Sequence, residues 1–429
     1  MTIKALISTM NSYLIIILSI LLLHYLLELT AALLNLRALS PELPAEFADV
    51  YAADVYARSQ RYTRATTGFS LIQATIVLAV TLAFILAGGF NLIDGMARGF
   101  GLSPIPTGLI FLGLLALLQA LLHLPFSIYA TFVIEQRFGF NTTTVATFVA
   151  DGLKAALVAV VLGGPLLAAI LWFFETSGPL AWLYCWSAAV VFIVVVQFLA
   201  PVLIMPLFNR FTPLAAGELK EAITAYAAGQ RFALQGIYTM DGSRRSTRAN
   251  AFFTGFGRFR RIVFFDTLIE QLTTAEIVAV LAHEMGHYRL RHVIGMMALS
   301  ILQTGLMFFI LSLFLDSPGL FAAFGMEHIS IHAGLVFFGF LYAPISTLIG
   351  IGLNAYSRHN EYQADRFAAR TGAGAEALIS GLKKLSVRNL ANLTPHPFNV
   401  IVHYSHPPML ARIAALRRCF SAADTYCSR

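Results

Sequence analysis

The sequence predicts an all-α polytopic membrane protein with seven transmembrane helices. Its polar regions read as mainly helical, with one small β-hairpin. Three observations carry this. The 429 residues are 58% hydrophobic and only 12% charged, with a mean hydropathy of +0.74; a soluble domain carries roughly twice that charged fraction. Seven apolar stretches are long enough to cross a bilayer core, which takes about 20 residues. The charges gather between and after these stretches instead of being spread along the chain.

The stretches lie near 12–36, 68–93, 105–133, 152–174, 180–204, 293–315 and 331–354. The first is too long for a secretory signal and lacks an A-x-A cleavage site, so it reads as a retained helix. His24 and Glu28 sit four residues apart inside it. Ionisable groups in a span are costly, so they read by default as a buried, mutually satisfied pair, with a chamber lining as the alternative. His123 and Pro125 mark a kink in the third stretch.

Charge sets the orientation. The 37–67 connection carries Arg37, Arg58, Arg61 and Arg64, and the one near 134–154 carries Arg137 and Lys154. Polar regions 205–292 and 355–429 hold 11 and 10 Lys/Arg residues, whereas the alternate connections hold only Arg98. The positive-inside rule puts the N-terminus outside and both polar regions in the cytoplasm. The net charge of +7 therefore reports topology, and no nucleic-acid partner is expected. The chain divides into five N-terminal helices (1–204), a first cytoplasmic part (205–292), a membrane hairpin (293–354) and a second cytoplasmic part (355–429). Because the hairpin leaves and re-enters the same face, residues just before it and just after it become neighbours.

His283-Glu284-Met285-Gly286-His287 falls just before that hairpin. Thr273-Thr274-Ala275-Glu276 is a capping-box pattern that starts a helix running through both histidines to about Arg291. On that helix His283 and His287 are at i and i+4, one turn apart on one face, the spacing that suits two ligands of a tetrahedral Zn²⁺. Glu284 projects about 100° away, within reach of a water on the metal, where a general base belongs. Cys185, Cys419 and Cys427 show no ligand spacing, so a metal must be held by histidine and carboxylate. The longer HExxHxxGxxH pattern fails, because positions 290 and 293 are Leu290 and Val293.

A third ligand is therefore sought on another helix. Glu361 and Asp365 follow the hairpin and again stand at i and i+4. Glu361 would ligate the zinc, and Asp365 would accept a hydrogen bond from a ligating histidine and fix its tautomer. His359 competes, but its side chain points about 160° from that of Glu361. Arg412 reads as an ion-pair partner with a structural role.

These motifs together resemble the type I CAAX prenyl endopeptidases, membrane-embedded zinc metallopeptidases. The matching pieces are Asn250-Ala251-Phe252-Phe253, the run Arg261–Leu268, HEMGH, Glu361–Asp365, and His403-Tyr404-Ser405-His406-Pro407-Pro408 followed by Arg412. Shorter bacterial heat-shock membrane proteases share the zinc motifs but lack so many preceding spans. The resemblance implies a ring of seven helices around an intramembrane chamber, with one Zn²⁺ per chain at its cytoplasmic end. It implies hydrolysis on the C-terminal side of a prenylated cysteine, releasing the last three residues of a CaaX protein; some members also make a second, upstream cut. It carries the ligand roles to His283, His287 and Glu361 and the base to Glu284. It assigns His406 to the oxyanion, and Asn250 with the following strand to aligning the peptide.

The strand role has a physical reading. Ala251–Phe256 and Ile262–Phe265 flank Gly257 in a hairpin pattern, and an exposed edge can pair with an extended substrate. Arg244, Arg245 and Arg248 precede this strand; they read as solvated positive-inside charge, or alternatively as recognition of a substrate carboxylate. The expected partners are peptide or protein substrates, C-terminally prenylated ones included, and membrane lipid. Quality-control proteolysis of membrane proteins is the alternative within the same chemistry. A non-enzymatic channel or lipid transporter is the alternative outside it, which the intact ligand set disfavours. The Ala-rich composition points to a bacterium and its inner membrane; a eukaryotic chain of this kind would sit in the endoplasmic reticulum.

Overall fold

The computed structural model describes residues 11–254 and 260–421. Its first half is five long apolar helices: α1 (Ser12–Arg37), α2 (Ala53–Leu86), α3 (Pro104–Tyr129, prolonged by a π turn at Ala130–Glu135), α4 (Val145–Thr176) and α5 (Gly178–Phe208). Few of their side chains are buried by protein, and leucines, isoleucines and valines dominate what they expose. Such a surface needs lipid around it. Prolines leave local marks. Pro165 and Pro201 lie beside or within the π turns Ala159–Gly163 and Ala200–Ile204, where a missing N–H re-registers the ladder. In α3 the helix continues through Pro125, and the irregularity falls after it, in the π turn.

The extramembrane part that follows is built on a four-stranded mixed sheet. Strand β1 (Phe211–Pro213) precedes α6 (Glu218–Gly229), which is followed by β2 (Gly236–Met240), β3 (Ala251–Thr254) and β4 (Arg261–Phe265). The order is β1-β2-β4-β3, with β2 and β4 parallel and the other pairs antiparallel. The hairpin read from the sequence is β3–β4, with Ala251 opposite Phe264; Phe256 and Gly257 lie outside the described residues. Two further strands, β2 and β1, extend the sheet beyond the expected hairpin. β4 is central and buries Ile262, Val263 and Phe264; Ile262 and Phe264, on one face, pack with Ile277, Leu281 and Met285 of α7 (Thr274–Arg289).

Two more membrane helices follow, α8 (His292–Ser312) and α9 (Ile331–Arg370). Only Leu290 and Arg291 separate α7 from α8, and Arg291 turns the chain in a left-handed conformation (φ 60°). Helix α9 has 40 residues, about 60 Å at the usual rise, twice a bilayer core. The helix does not stop where the apolar stretch does, near 354: it continues unbroken past Glu361 and Asp365, so the helix that crosses the membrane also delivers both carboxylates. Helices α10 (Ala375–Arg388), α11 (Pro397–His403) and α12 (Met409–Ser421) complete the fold.

Three further expectations need correction. The second span runs from Ala53 to Leu86, not 68–93, because Gly88 turns the chain in a left-handed conformation (φ 70°) and the 37–67 connection is largely helix. His24 and Glu28 are not a buried pair: His24 is exposed, and Glu28 faces His403 Nε2 at 3.4 Å. Arg245 and Arg248 are ion-paired within the protein instead of standing as free charge. Arg245 grips Asp151 through two nitrogens at 2.7 and 3.0 Å, and Arg248 pairs with Glu135 at 3.0 Å. Neither is free to meet a substrate carboxylate.

Candidate active site

The capping box forms as read. Thr273 Oγ1 accepts from the Glu276 N–H at 3.4 Å, and Glu276 Oε2 accepts from the Thr273 N–H at 2.8 Å. Ser380 and Lys384 of α10 also bind Glu276, at 2.6 and 2.7 Å, so the start of α7 is tied to its neighbour. Farther along α7, Gly286 sits against Ala364 of α9 with no room for a side chain. That close approach brings the histidine face of one helix onto the carboxylate face of the other.

The result is a compact triangle. His283 Nε2 and His287 Nε2 are 3.1 Å apart, His287 Nε2 lies 3.2 Å from Glu361 Oε1, and His283 Nε2 lies 3.5 Å from Glu361 Oε2. Two ligands at tetrahedral vertices around an ion with bonds of 2.0–2.1 Å stand about 3.3–3.4 Å apart. The three donors therefore fit three corners of one tetrahedron. Glu361 Oε2 is buried without a hydrogen-bond partner, with Arg412 Nη1 at 3.4 Å, and a buried carboxylate oxygen is costly to leave without one. Glu361 and Asp365 also share a single guanidinium, that of Arg412, so the cluster holds carboxylate in excess of its fixed cation, with Glu284 nearby in the same cleft. The donor set, the orphaned oxygen and the charge all fit a divalent metal.

The orientation of each imidazole is set from behind. His283 Nδ1 donates to Asp365 Oδ1 at 2.8 Å, which leaves its Nε2 lone pair facing the triangle. Asp365 is in turn gripped by Arg412 through Nε at 2.8 Å and Nη2 at 2.6 Å. Burial alone would lower the His283 basicity, but the Asp365 and Glu361 carboxylates outweigh it and raise the pKa to about 9, so a metal taking the Nε2 lone pair would displace a proton. His287 is held by a second chain of contacts, which sequence reasoning missed. Its Nδ1 meets His292 Nδ1 at 3.0 Å, His292 Nε2 meets Gln363 Oε1 at 2.8 Å, and Gln363 Nε2 meets His359 Nε2 at 3.0 Å. With His287 Nε2 toward the triangle, one assignment satisfies every link: His287 donates to His292, His292 to Gln363, and Gln363 to His359. His359, weighed as a rival ligand, ends this chain instead. No spacing rule signals His292, because its contact crosses the break between α7 and α8.

The triangle opens into a cleft of about 270 Å³ that Glu284, Asn250, Ala251, His406 and Arg412 also line. Glu284 makes no side-chain hydrogen bond among the described residues, and burial pushes its carboxyl upward. His406 is 65% exposed at the rim, with Nε2 3.3 Å from Glu361 Oε1 and Nδ1 3.0 Å from Ser405 Oγ. Arg358 holds the loop before it, donating to the carbonyls of Val400 and Tyr404 at 3.0 and 2.6 Å. Strand β3 lies along the same cleft, on the sheet edge. The Phe265 N–H donates to the Asn250 carbonyl at 3.0 Å, so the antiparallel alternation turns the backbone groups of Ala251 and Phe253 outward. Asn250 Oδ1 accepts from the Ala251 N–H at 2.9 Å. Phe252 and Phe253 line a neighbouring cavity and not the metal cleft.

Seven membrane-long helices carrying an HExxH helix against a distal carboxylate define a multi-pass membrane metallopeptidase. Comparison with known proteins agrees. Residues 32–210 match the family model described as CAAX prenyl protease N-terminal, five membrane helices, and residues 213–419 match Peptidase family M48. The CAAX prenyl protease 1 homolog of Arabidopsis thaliana is 36% identical over 91% of this chain and 94% of its own length. The CAAX prenyl protease 1 of Saccharomyces cerevisiae is 36% identical, covering 87% of this chain and 88% of its own. The crystal structure of S. mikatae Ste24p superposes with a TM-score of 0.90 at 32% identity, over 94% of this chain and 99% of that one. The chain belongs to peptidase family M48, among the CAAX prenyl protease 1 homologues.

Proposed function

We propose that the chain is a zinc endopeptidase that cuts near the C-terminus of membrane-associated substrates, prenylated CaaX peptides among them. The observation that carries this reading is the triangle of His283, His287 and Glu361, set in one cleft with Glu284 and the open edge of β3. The CAAX prenyl protease name of the relatives supports the substrate class. One Zn²⁺ per chain, held by the three donors, supplies Lewis acidity toward a scissile carbonyl and a water.

The remaining roles fall to the protein. An extended peptide adds to the outer edge of β3 through the backbone of Ala251 and Phe253, and Asn250 borders the first of these positions. Glu284, on the cleft wall and without a hydrogen-bond partner among the described residues, takes a proton from water and passes it to the leaving amine. His406 at the rim donates an N–H toward the oxygen on which negative charge develops. Asp365 and Arg412 act through His283, holding its tautomer and compensating the buried carboxylates. The division into 1–204, 205–292, 293–354 and 355–429 remains the working organisation, with the second and fourth parts closing on each other at the α7–α9 contact. The Lys/Arg bias supports a cytoplasmic cleft, facing inward from a bacterial inner membrane or outward from the endoplasmic reticulum.

The test is hydrolysis of a farnesylated CaaX peptide by the full chain. Release of the last three residues that stops with a chelator and returns with zinc is expected. Cleavage of unprenylated membrane substrates with the farnesylated peptide left intact would overturn the substrate class.

A further inference from the structure

A second cavity, of about 630 Å³, lies where α5 and α8 meet the edge of β3. Among the described residues four arginines line it, Arg231, Arg260, Arg289 and Arg291, and no acidic residue does. None of the four forms an ion pair among the described residues. Arg260 lies over the rings of Phe232 and Tyr288, 4.6 and 4.3 Å from their centroids, and its Nε is buried without a hydrogen-bond partner. Arg289 donates to the Gln230 carbonyl. Arg231 and Arg291 are exposed and stand just past the ends of α6 and α7 in left-handed conformations, with φ of 51° and 60°. Glycine is the unstrained residue at such a position, so both sites carry a cation in spite of the backbone.

Four uncompensated like charges around one cavity repel one another and call for an anion. The surroundings say which kind. The wall includes Pro201 and Met205 from the end of one membrane helix and Val293 and Ile294 from the start of another. Next to them Val202 and Leu203 are 59% and 57% exposed. A ligand suited to this place is anionic at one end and apolar at the other. We propose that the cavity binds the phosphate-bearing headgroup of an anionic phospholipid, with its acyl chains along the outward faces of α5 and α8. Guanidinium groups match phosphate oxygens in pairs, and basic pockets between membrane helices suit such headgroups. The inference is independent of the peptidase reading; it rests on the cavity and on the two helices crossing the membrane.

The test uses the full chain in nanodiscs of phosphatidylcholine, with and without about 30% phosphatidylglycerol. Lipid retained on release is read by native mass spectrometry, and Tm is read in parallel. The informative variant is R231G/R291G, which removes two charges at positions where glycine relieves strain and so should keep its Tm in pure phosphatidylcholine. Wild type should retain phosphatidylglycerol over phosphatidylcholine, and the variant should lose about tenfold of that preference. The control R61Q/R64Q, exposed arginines on α2, should lose none. Equal retention of the two lipids by wild type, or an equal loss in the control, overturns the site. So does a Tm rise with inorganic phosphate that matches the one with phosphatidylglycerol, which would make it a free-phosphate site.

Discussion

Gly286 of α7 lies against Ala364 of α9 so closely that a Cβ on Gly286 would stand 3.0 Å from the Ala364 Cα and 3.2 Å from its carbonyl oxygen. Gly286 falls between His283 and His287, and Ala364 between Glu361 and Asp365, so this contact sets the separation of the histidine face from the carboxylate face. The obstacle is backbone, which cannot swing aside. Gly286→Ala should push the helices apart, cost about 1–3 kcal/mol by overpacking, and widen the triangle. Metal content after dialysis against a weak chelator, together with Tm, reads this. Gly113→Ala in α3, with nothing within 4 Å of the added Cβ, should keep metal retention unchanged and leave Tm level or slightly higher. A Gly286→Ala protein with wild-type metal retention would show that the contact does not govern the site.

Glu284 shares the cleft with the three donors but is not one of them. Glu284→Gln keeps the shape and removes the capacity to take a proton. It should retain stoichiometric metal and lose hydrolysis by about 10²–10⁴-fold. Parallel metal analysis and turnover assays separate the two effects. Loss of the metal as well would place Glu284 among the ligands.

His292 is 5% exposed and stands between His287 and Gln363. Its removal leaves the His287 ring without the partner that fixes its tautomer. His292→Ala should weaken metal affinity about 10–100-fold, measured by competition with a chromogenic chelator. His292→Gln, which can still accept from His287, should recover part of it. A lower Tm with unchanged affinity in His292→Ala would reduce the residue to packing.

Much of this architecture is legible in the sequence. Hydropathy finds the seven spans because twenty apolar residues in a row have few other uses. The i and i+4 pairs His283/His287 and Glu361/Asp365 announce themselves because a helix face repeats at that spacing. What stayed hidden depends on contacts between elements. Polar residues 355–370 continue the helix that carries 331–354, and a hydropathy window cannot see a helix that outlasts the bilayer. Glu28 has a histidine four residues away but faces His403 from a distant element. The His292–Gln363–His359 chain and the four-arginine cavity each join segments far apart in sequence, so no local period records them.

Glu276 offers a pH-dependent reading of the α7–α10 tie that supports the metal helix. Burial would raise its carboxyl, but the Lys384 ammonium and the Ser380 hydroxyl hold it below its ordinary value of 4.5. A carboxyl whose folded pKa is depressed stabilises the fold fully above its unfolded pKa, and that contribution fades as pH falls through the folded value. Wild type should therefore exceed Glu276→Gln in stability by an amount that is constant near neutrality and shrinks below about pH 4.5 as the carboxylate protonates. The neutral-pH gap should be about 0.5–2 kcal/mol, the usual worth of a cap. Thermal unfolding of both proteins in detergent from neutral to acid pH measures it. A gap that widens as pH falls would mean that Glu276 is held protonated in the fold, contrary to its contacts with Lys384 and the Thr273 N–H.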